Sequence, residues 1–373
     1  MSSKLLAHYL ISSDAAAIDA RARAIAIEQS VEMPVGAIDD ARVLSQIVGN
    51  VETISDRGGG LFTATIALDL ETTGLESGQL LNILFGNTSL HDDVTLAAIT
   101  IPDKLAAAFP GPRFGPAGLR SRVGAGQRAL TCAALKPQGL RPDKLASLAR
   151  MLALGGLDYI KDDHSLADQQ QAPFAVRVRA IADAVRRAGA ETGKATRYLP
   201  SLSGNLDKLR AQVVIARDLG LDTLLIAPMV VGLPSFEAIV RENSDMAFIA
   251  HPAMAGAARI APQALLGTLF RLLGADGVIF PNAGGRFGYT AATCAAIADA
   301  AFAPLGALKT TLPVPAGGMT LPRTPEILAF YGPDAMLLIG GDLLAARDQM
   351  TAAAKSFQHA VEGHRYVERR AIV

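Results

Sequence analysis

The segment Gly155-Gly-Leu-Asp-Tyr-Ile-Lys-Asp-Asp-His164 sets a lysine, two aspartates and a histidine where a short apolar run ends. Leu157, Tyr159 and Ile160 have the character of a buried strand, and the polar residues fall together at its C-terminal mouth. Such a cluster points to a metal site, because Asp163 and His164 carry an oxygen and a nitrogen suited to a divalent cation. The alternative is a solvated cluster of charges at a strand end. Further candidates lie along the chain: Lys136, His251, the run Asn282 to Arg286, and two glycine pairs, Gly317-Gly318 and Gly340-Gly341, the second followed by Asp342. Paired glycines at strand ends let backbone N–H groups approach an anion, so these two pairs suggest a phosphate site.

The elements that would position these residues follow from the hydropathy pattern. Beyond about residue 126 short apolar runs begin near Ala129, Tyr159, Ala195, Thr223, Ala247, Gly277, Thr311 and Ala335, 24 to 36 residues apart. Between them lie amphipathic segments such as Asp143 to Arg150 and Asn205 to Arg210. Eight β-then-α units in succession predict an α/β fold, a C-terminal (β/α)8 TIM barrel spanning 126–373. Ser203 is the expected cap of the helix after the third strand, and Pro262 suits the first turn of the helix after the fifth. Residues 1–125 have a different pattern, with strand-like Lys4 to Ile11, helix-like Ala15 to Ala26 and strand-like Phe62 to Leu68, and they predict a smaller N-terminal α+β domain. The run Phe109 to Pro116, rich in Pro and Gly, is the expected linker. In such a barrel the catalytic groups come from the C-terminal ends of the strands. Lys136, Lys161 to His164, His251, Asn282 to Arg286 and both glycine pairs all fall there, at the ends of six strands.

Composition narrows the function. With 35 basic and 35 acidic residues among 373 the formal net charge is zero, which gives no electrostatic footprint for nucleic acid or an anionic membrane. The longest apolar stretch, around Thr223 to Leu233, contains Pro228 and is stopped by Pro234, short of the roughly 20 residues a membrane span needs. The first apolar segment carries His8 and lacks a cleavage-type ending, and Cys132 and Cys294 are too few for a disulfide framework. A cytoplasmic protein acting on a phosphorylated small molecule fits this balance.

Lys136-Pro-Gln-Gly-Leu140 followed by Gly155 to His164 resembles the ribulose-bisphosphate carboxylase large chain and its RuBisCO-like, form IV, relatives. There a Lys-Pro-x-x-Gly-Leu segment precedes Gly-Gly-Leu-Asp-x-x-Lys-Asp-Asp-Glu. Pro313-Val-Pro-Ala-Gly-Gly318 and Leu338-Ile-Gly-Gly341 look like that family's two segments that bind the substrate's first phosphate. The resemblance implies that Lys136 is the catalytic lysine and that Lys161 is carbamylated by CO2. It implies that Lys161, Asp163 and His164 hold Mg2+, with Mn2+ tolerated because an imidazole replaces a carboxylate. His251, in His251-Pro-Ala-Met254, matches the first histidine of His-Arg-Ala-Met-His. Glu28 and Asn87 look like the N-domain residues that complete a neighbouring subunit's site, which implies a homodimer with shared active sites or a higher oligomer built from it.

The departures limit that resemblance. Pro252 and Ala255 stand where the family has the arginine and second histidine that bind a second phosphate. Ile279 replaces a substrate-binding histidine, Arg286 the mobile-loop lysine, His164 the metal-binding glutamate and Ala316 a serine, while Gln138 and a one-residue deletion alter the Lys-Pro segment. The expected activity is therefore not CO2 fixation. What remains is metal-assisted enolate or enediolate chemistry on a phosphorylated keto substrate. Arg286 tips the expectation toward decarboxylation of, or carboxyl transfer from, a 3-oxo acid phosphate, since its guanidinium suits a carboxylate. The alternative is an isomerase or enolase of a methylthio-ketose 1-phosphate. A different class is a barrel that binds a sugar phosphate without turning it over.

Overall fold

The computed structural model describes residues 4–366. The ends of the two expected domains, 1–3 and 367–373, lie outside the described residues. Strands β1 (Leu5–Ser12), β2 (Asn50–Gly58), β3 (Leu61–Leu68) and β4 (Val94–Thr100) form an antiparallel sheet in the order β2-β3-β1-β4. In β1 the residues alternate between buried and half-exposed, Leu5, Ala7, Tyr9 and Ile11 pointing into the core against the helix Ile18–Glu28 and its neighbours. β2 is almost wholly exposed, which is why its sequence shows no apolar alternation and no strand was expected there.

The parallel strands follow: β5 (Leu130–Leu135), β6 (Tyr159–Asp162), β7 (Arg197–Leu199), β8 (Thr223–Ile226), β9 (Ala247–Ala250), β10 (Gly277–Pro281), β11 (Leu312–Ala316) and β12 (Met336–Ile339). They pair as β12-β5-β6-β7 and β8-β9-β10-β11. A parallel bridge from Ser201 to Leu225 joins β7 to β8, and β11 packs beside β12, so the eight strands form the expected barrel. Each expected apolar run begins within two residues of its strand. One helix start was misplaced. Asn205, not Ser203, caps the helix Leu206–Asp218, its side chain accepting from Lys208 N at 3.0 Å. Gly204, at φ +117°, delays the helix by two residues and leaves Ser203 bonded to Gln212.

The barrel's interior is packed by alternate residues of every strand, among them Cys132, Tyr159, Leu199, Leu225, Ile249 and Val314. Its N-terminal end is filled by the helix Gly115–Ser121 and the residues after it. Leu119 is fully buried there and accepts the Tyr159 hydroxyl at 2.7 Å through its carbonyl. Burying that leucine stabilises by about 1.5–3 kcal/mol. The Asp276 carboxylate takes the N–H groups of Phe114 (2.6 Å), Gly115 (2.8 Å) and Phe248 (3.0 Å), so the last residues of the expected linker are bonded to the barrel floor.

Candidate active site

Strand alternation decides which residues of Tyr159 to Asp162 face the barrel's interior. Tyr159 belongs to the interior cluster and Ile160 to the outer layer, so Lys161 points inward and Asp162 outward. Lys161 is 3% exposed, and its Nζ donates to the carbonyl of Asp162 at 2.9 Å. Burial lowers its pKa. Asp162, also buried, accepts from the Tyr198 hydroxyl (2.7 Å), Ser201 N (3.1 Å) and the Arg177 guanidinium (3.2 Å).

Asp163 lies just past the strand and lines the cavity at the barrel mouth. Its carboxylate accepts from Lys136 Nζ (2.7 Å), from Ser165 N (3.1 Å) and Oγ (2.8 Å), and faces His164 Nδ1 at 3.2 Å. Burial alone would raise its pKa, but the bonds from His164, Lys136 and Ser165 prevail and hold the carboxyl far below the usual carboxylate range. The His164 ring stacks on His251, centroids 4.1 Å apart and planes 11° from parallel. Two imidazolium rings would repel each other in that arrangement. Burial, then the nearness of Lys161 and His164, pushes His251 down to about 2, so it is neutral at ordinary pH. Ala253 N–H donates to His251 Nδ1 at 3.1 Å, which places the ring's own proton on Nε2.

The cavity measures about 1070 Å³. Lys136, Lys161, Asp163, His164, His251 and Arg286 line it, as do both glycine pairs. The loop after β10 packs against the end of β11: Asn282 N donates to Ala316 O (2.7 Å), and a Cβ on Gly285 would stand 2.1 Å from the Gly317 carbonyl oxygen. The base of this loop is tied by Tyr331 to Asn282 (2.7 Å) and by Arg323 to the Ala283 carbonyl (3.2 Å). Asp342 accepts Leu321 N at 2.8 Å. The side of the cavity formed by β9 and β10 is mostly apolar, with Pro252, Met254, Ala255, Ile279 and Phe287. The Arg286 guanidinium lies over the Phe287 ring, 4.9 Å from its centroid.

Glu28 and Asn87 are not among the residues lining this cavity. They stand together in the N-terminal part, where Asn87 Nδ2 donates to Glu28 (2.9 Å) and to Glu32 (2.6 Å). Sequence reasoning missed Glu32, which lies past the end of the helix Ile18–Glu28 with φ +55°, and Phe287, whose only signal was its place beside Arg286. It also missed Arg177 and Tyr198, which reach Asp162 from other elements and leave no local pattern.

Among the described residues no three His, Cys, Asp or Glu side chains are grouped to hold a metal ion. Asp163 and His164 supply two donors. His164 Nδ1 lies 3.2 Å from the Asp163 carboxylate, which leaves Nε2 as the nitrogen that would face a metal ion, the arrangement usual for metal-bound histidine. A third donor requires a carbamate on Lys161. Burial favours the neutral amine that attacks CO2, so the residues fit a cation on that condition.

A family model described as the ribulose bisphosphate carboxylase large chain, catalytic domain, matches residues 117–371. The chain is 59% identical over 364 residues to 5-methylthioribulose-1-phosphate isomerase of Rhodospirillum rubrum, 97% of each being covered. It is 34% identical over 294 residues, 76% of this chain and 70% of the other, to 2,3-diketo-5-methylthiopentyl-1-phosphate enolase of Geobacillus kaustophilus. The crystal structure of a RuBisCO-like protein from Rhodopseudomonas palustris superposes with a TM-score of 0.91 at 49% identity, covering 99% of this chain and 100% of that one.

Proposed function

The chain belongs to the ribulose bisphosphate carboxylase large-chain family as a RuBisCO-like member, and on that premise we propose that it isomerises a methylthio-substituted ketose 1-phosphate. The relatives are named for isomerisation and enolisation, so they favour this activity over the 3-oxo acid phosphate chemistry to which Arg286 had tipped the expectation. The observation that carries the proposal is the arrangement of one cavity: a Lys136–Asp163 pair at 2.7 Å beside Lys161, glycine pairs on the β11 and β12 side, and an apolar surface on the β9 and β10 side. Such a cavity matches a substrate with a phosphate at one end, a thioether at the other and a carbonyl between them.

Lys136 moves the proton. In its neutral form the Lys136 amine takes a proton from the carbon beside the carbonyl, the C–H electrons form the C=C bond, and the carbonyl oxygen becomes the enediolate oxygen. The hydroxyl proton on the carbon that lost its hydrogen passes to the enediolate oxygen, the ammonium returns a proton to the former carbonyl carbon, and the carbonyl then stands one carbon along the chain. Neutral His251, with its proton on Nε2, is a hydrogen-bond donor to a substrate oxygen. The N–H groups beside Gly317, Gly318, Gly340 and Gly341 hold the phosphate. Lys161 as its carbamate, Asp163 and His164 would hold Mg2+ or Mn2+, which when bound supplies positive charge against the enediolate.

The test is a panel of three substrates followed by phosphorus and proton NMR. The expected result is isomerisation of the methylthio-ketose 1-phosphate with kcat/KM about 10–200-fold above its hydroxyl counterpart, the usual discrimination of an apolar pocket. Release of CO2 from a 3-oxo acid phosphate, with the ketoses unchanged, would refute it. The glycine contact gives a second prediction. Gly285→Ala forces the loop off Gly317 at a cost of about 1–3 kcal/mol, so calorimetry with inorganic phosphate should show weaker binding by roughly tenfold. Unchanged phosphate affinity would move the anion site elsewhere.

The assembly belongs to the same proposal: a homodimer in which Glu28 and Asn87 of one subunit complete the partner's barrel. Glu28→Ala and Lys136→Met proteins, each inactive, should complement when subunits exchange. About half of randomly exchanged dimers are mixed, each with one intact site, so activity should return to roughly a quarter of wild type. Exchange without recovery would mean that each site is built within one subunit.

A further inference from the structure

Between the barrel wall and the helix Phe174–Thr192 lies a buried polar group that the proposed chemistry does not use. Asp162 and Arg177 are both fully buried, and Tyr198 is 2% exposed. The Arg177 guanidinium bonds Asp162 through Nε (3.3 Å) and Nη2 (3.2 Å), and reaches the carbonyls of Leu166 (3.3 Å), Ala167 and Ala172 (2.9 Å). Each of these contacts falls on the strand end that carries Lys161 and Asp163, or on the loop that follows them. The Asp162 backbone carbonyl in turn accepts Lys161 Nζ at 2.9 Å, so one residue fixes the amine from inside the barrel and is itself fixed from outside. The loop is tied back again, through Gln169 Nε2 to Ser165 O (2.7 Å) and Ser165 Oγ to Asp163 (2.8 Å).

We infer that Arg177, Tyr198 and Asp162 form a clamp that positions Lys161 and Asp163, an inference that rests on those two residues being the reacting centre. A buried ion pair is a weak stabiliser, because the cost of taking both charges out of water offsets most of their attraction, and apolar residues of equal volume would hold helix to strand as well. Orientation is what a fork of several N–H donors adds. Reacting groups must be held within about 0.5 Å by the residues around them. The clamp meets that need at the two side chains flanking Asp162 in sequence, which point to the opposite side of the strand from it.

The test uses the full-length chain with Tyr198→Phe, Arg177→Lys and Arg177→Met. Turnover of the methylthio-ketose 1-phosphate, competitive acetylation of Lys161 by acetic anhydride, and thermal unfolding are measured on each. Tyr198→Phe removes one hydroxyl that donates to Asp162 and should lower kcat about tenfold with KM little changed. It should also alter the acetylation rate of Lys161 at temperatures where the protein is folded. Arg177→Lys should fall between wild type and Arg177→Met in both readouts; if Arg177→Met does not fold, Tyr198→Phe decides. Variants that lose thermal stability yet keep wild-type kcat per folded molecule and wild-type Lys161 labelling would overturn the clamp. If wild type turns over no ketose 1-phosphate, the functional proposal fails, and Lys161 labelling alone decides the inference.

Discussion

Lys136→Met is expected to lower proton transfer by about 10²–10⁴, the range lost with a positioned acid–base group, while inorganic phosphate still binds with nearly wild-type affinity. The two effects should separate because Lys136 ends β5, whereas the glycine pairs end β11 and β12. Methionine keeps most of the side chain's length and apolar stem, so the lost group is the amine. The variant also frees one oxygen of Asp163, now 2.7 Å from Lys136 Nζ, which remains held by His164 and Ser165 on its other side. A deuterium-exchange assay on the bound ketose reads the chemistry, and calorimetry with phosphate reads the binding. If the variant loses phosphate affinity yet still exchanges the substrate's proton, Lys136 positions the ligand and is not the base.

Asp163→Asn should reduce turnover by at least about tenfold and up to a hundredfold, since the same carboxylate orders Lys136, His164 and the loop at Ser165. It should also carry a pH signature in stability. The folded-state pKa of Asp163 is depressed, so its ionised form stabilises the fold fully above the unfolded value of about 3.9 and loses that contribution as pH falls toward the folded value. The difference in thermal midpoint between wild type and Asp163→Asn should be flat from about pH 5 to 8 and shrink below about pH 4. A difference that instead grows on acidification would mean that Asp163 is not the ionised partner of Lys136.

Much of this was legible because strands of a packed barrel are apolar on both faces. The run Thr223 to Ile226 shows itself without any knowledge of its neighbours, and so does Ala247 to Ala250. β2 was not legible: its Asn50 to Gly58 lies on the sheet's edge, with almost every side chain in water, so nothing selects an alternating pattern. The polar ends of strands were visible for the converse reason, since Lys161 and Asp163 are costly to bury without a task. Arg177 was invisible because it looks like any charged helix residue until the fold turns it inward onto Asp162, 15 positions earlier. Glu28 and Asn87 came from resemblance alone, and the structure places them against each other and Glu32, away from the cavity lining of their own barrel.

Incubation of the protein with the methylthio-ketose 1-phosphate in deuterated water, followed by proton and phosphorus NMR, tests the central claim most directly. The account predicts that deuterium enters at carbon beside the carbonyl, that an isomeric ketose phosphate accumulates, and that neither CO2 nor inorganic phosphate is released. Tight binding of the substrate with no deuterium in it after prolonged incubation would contradict the account and leave a sugar-phosphate-binding barrel in its place.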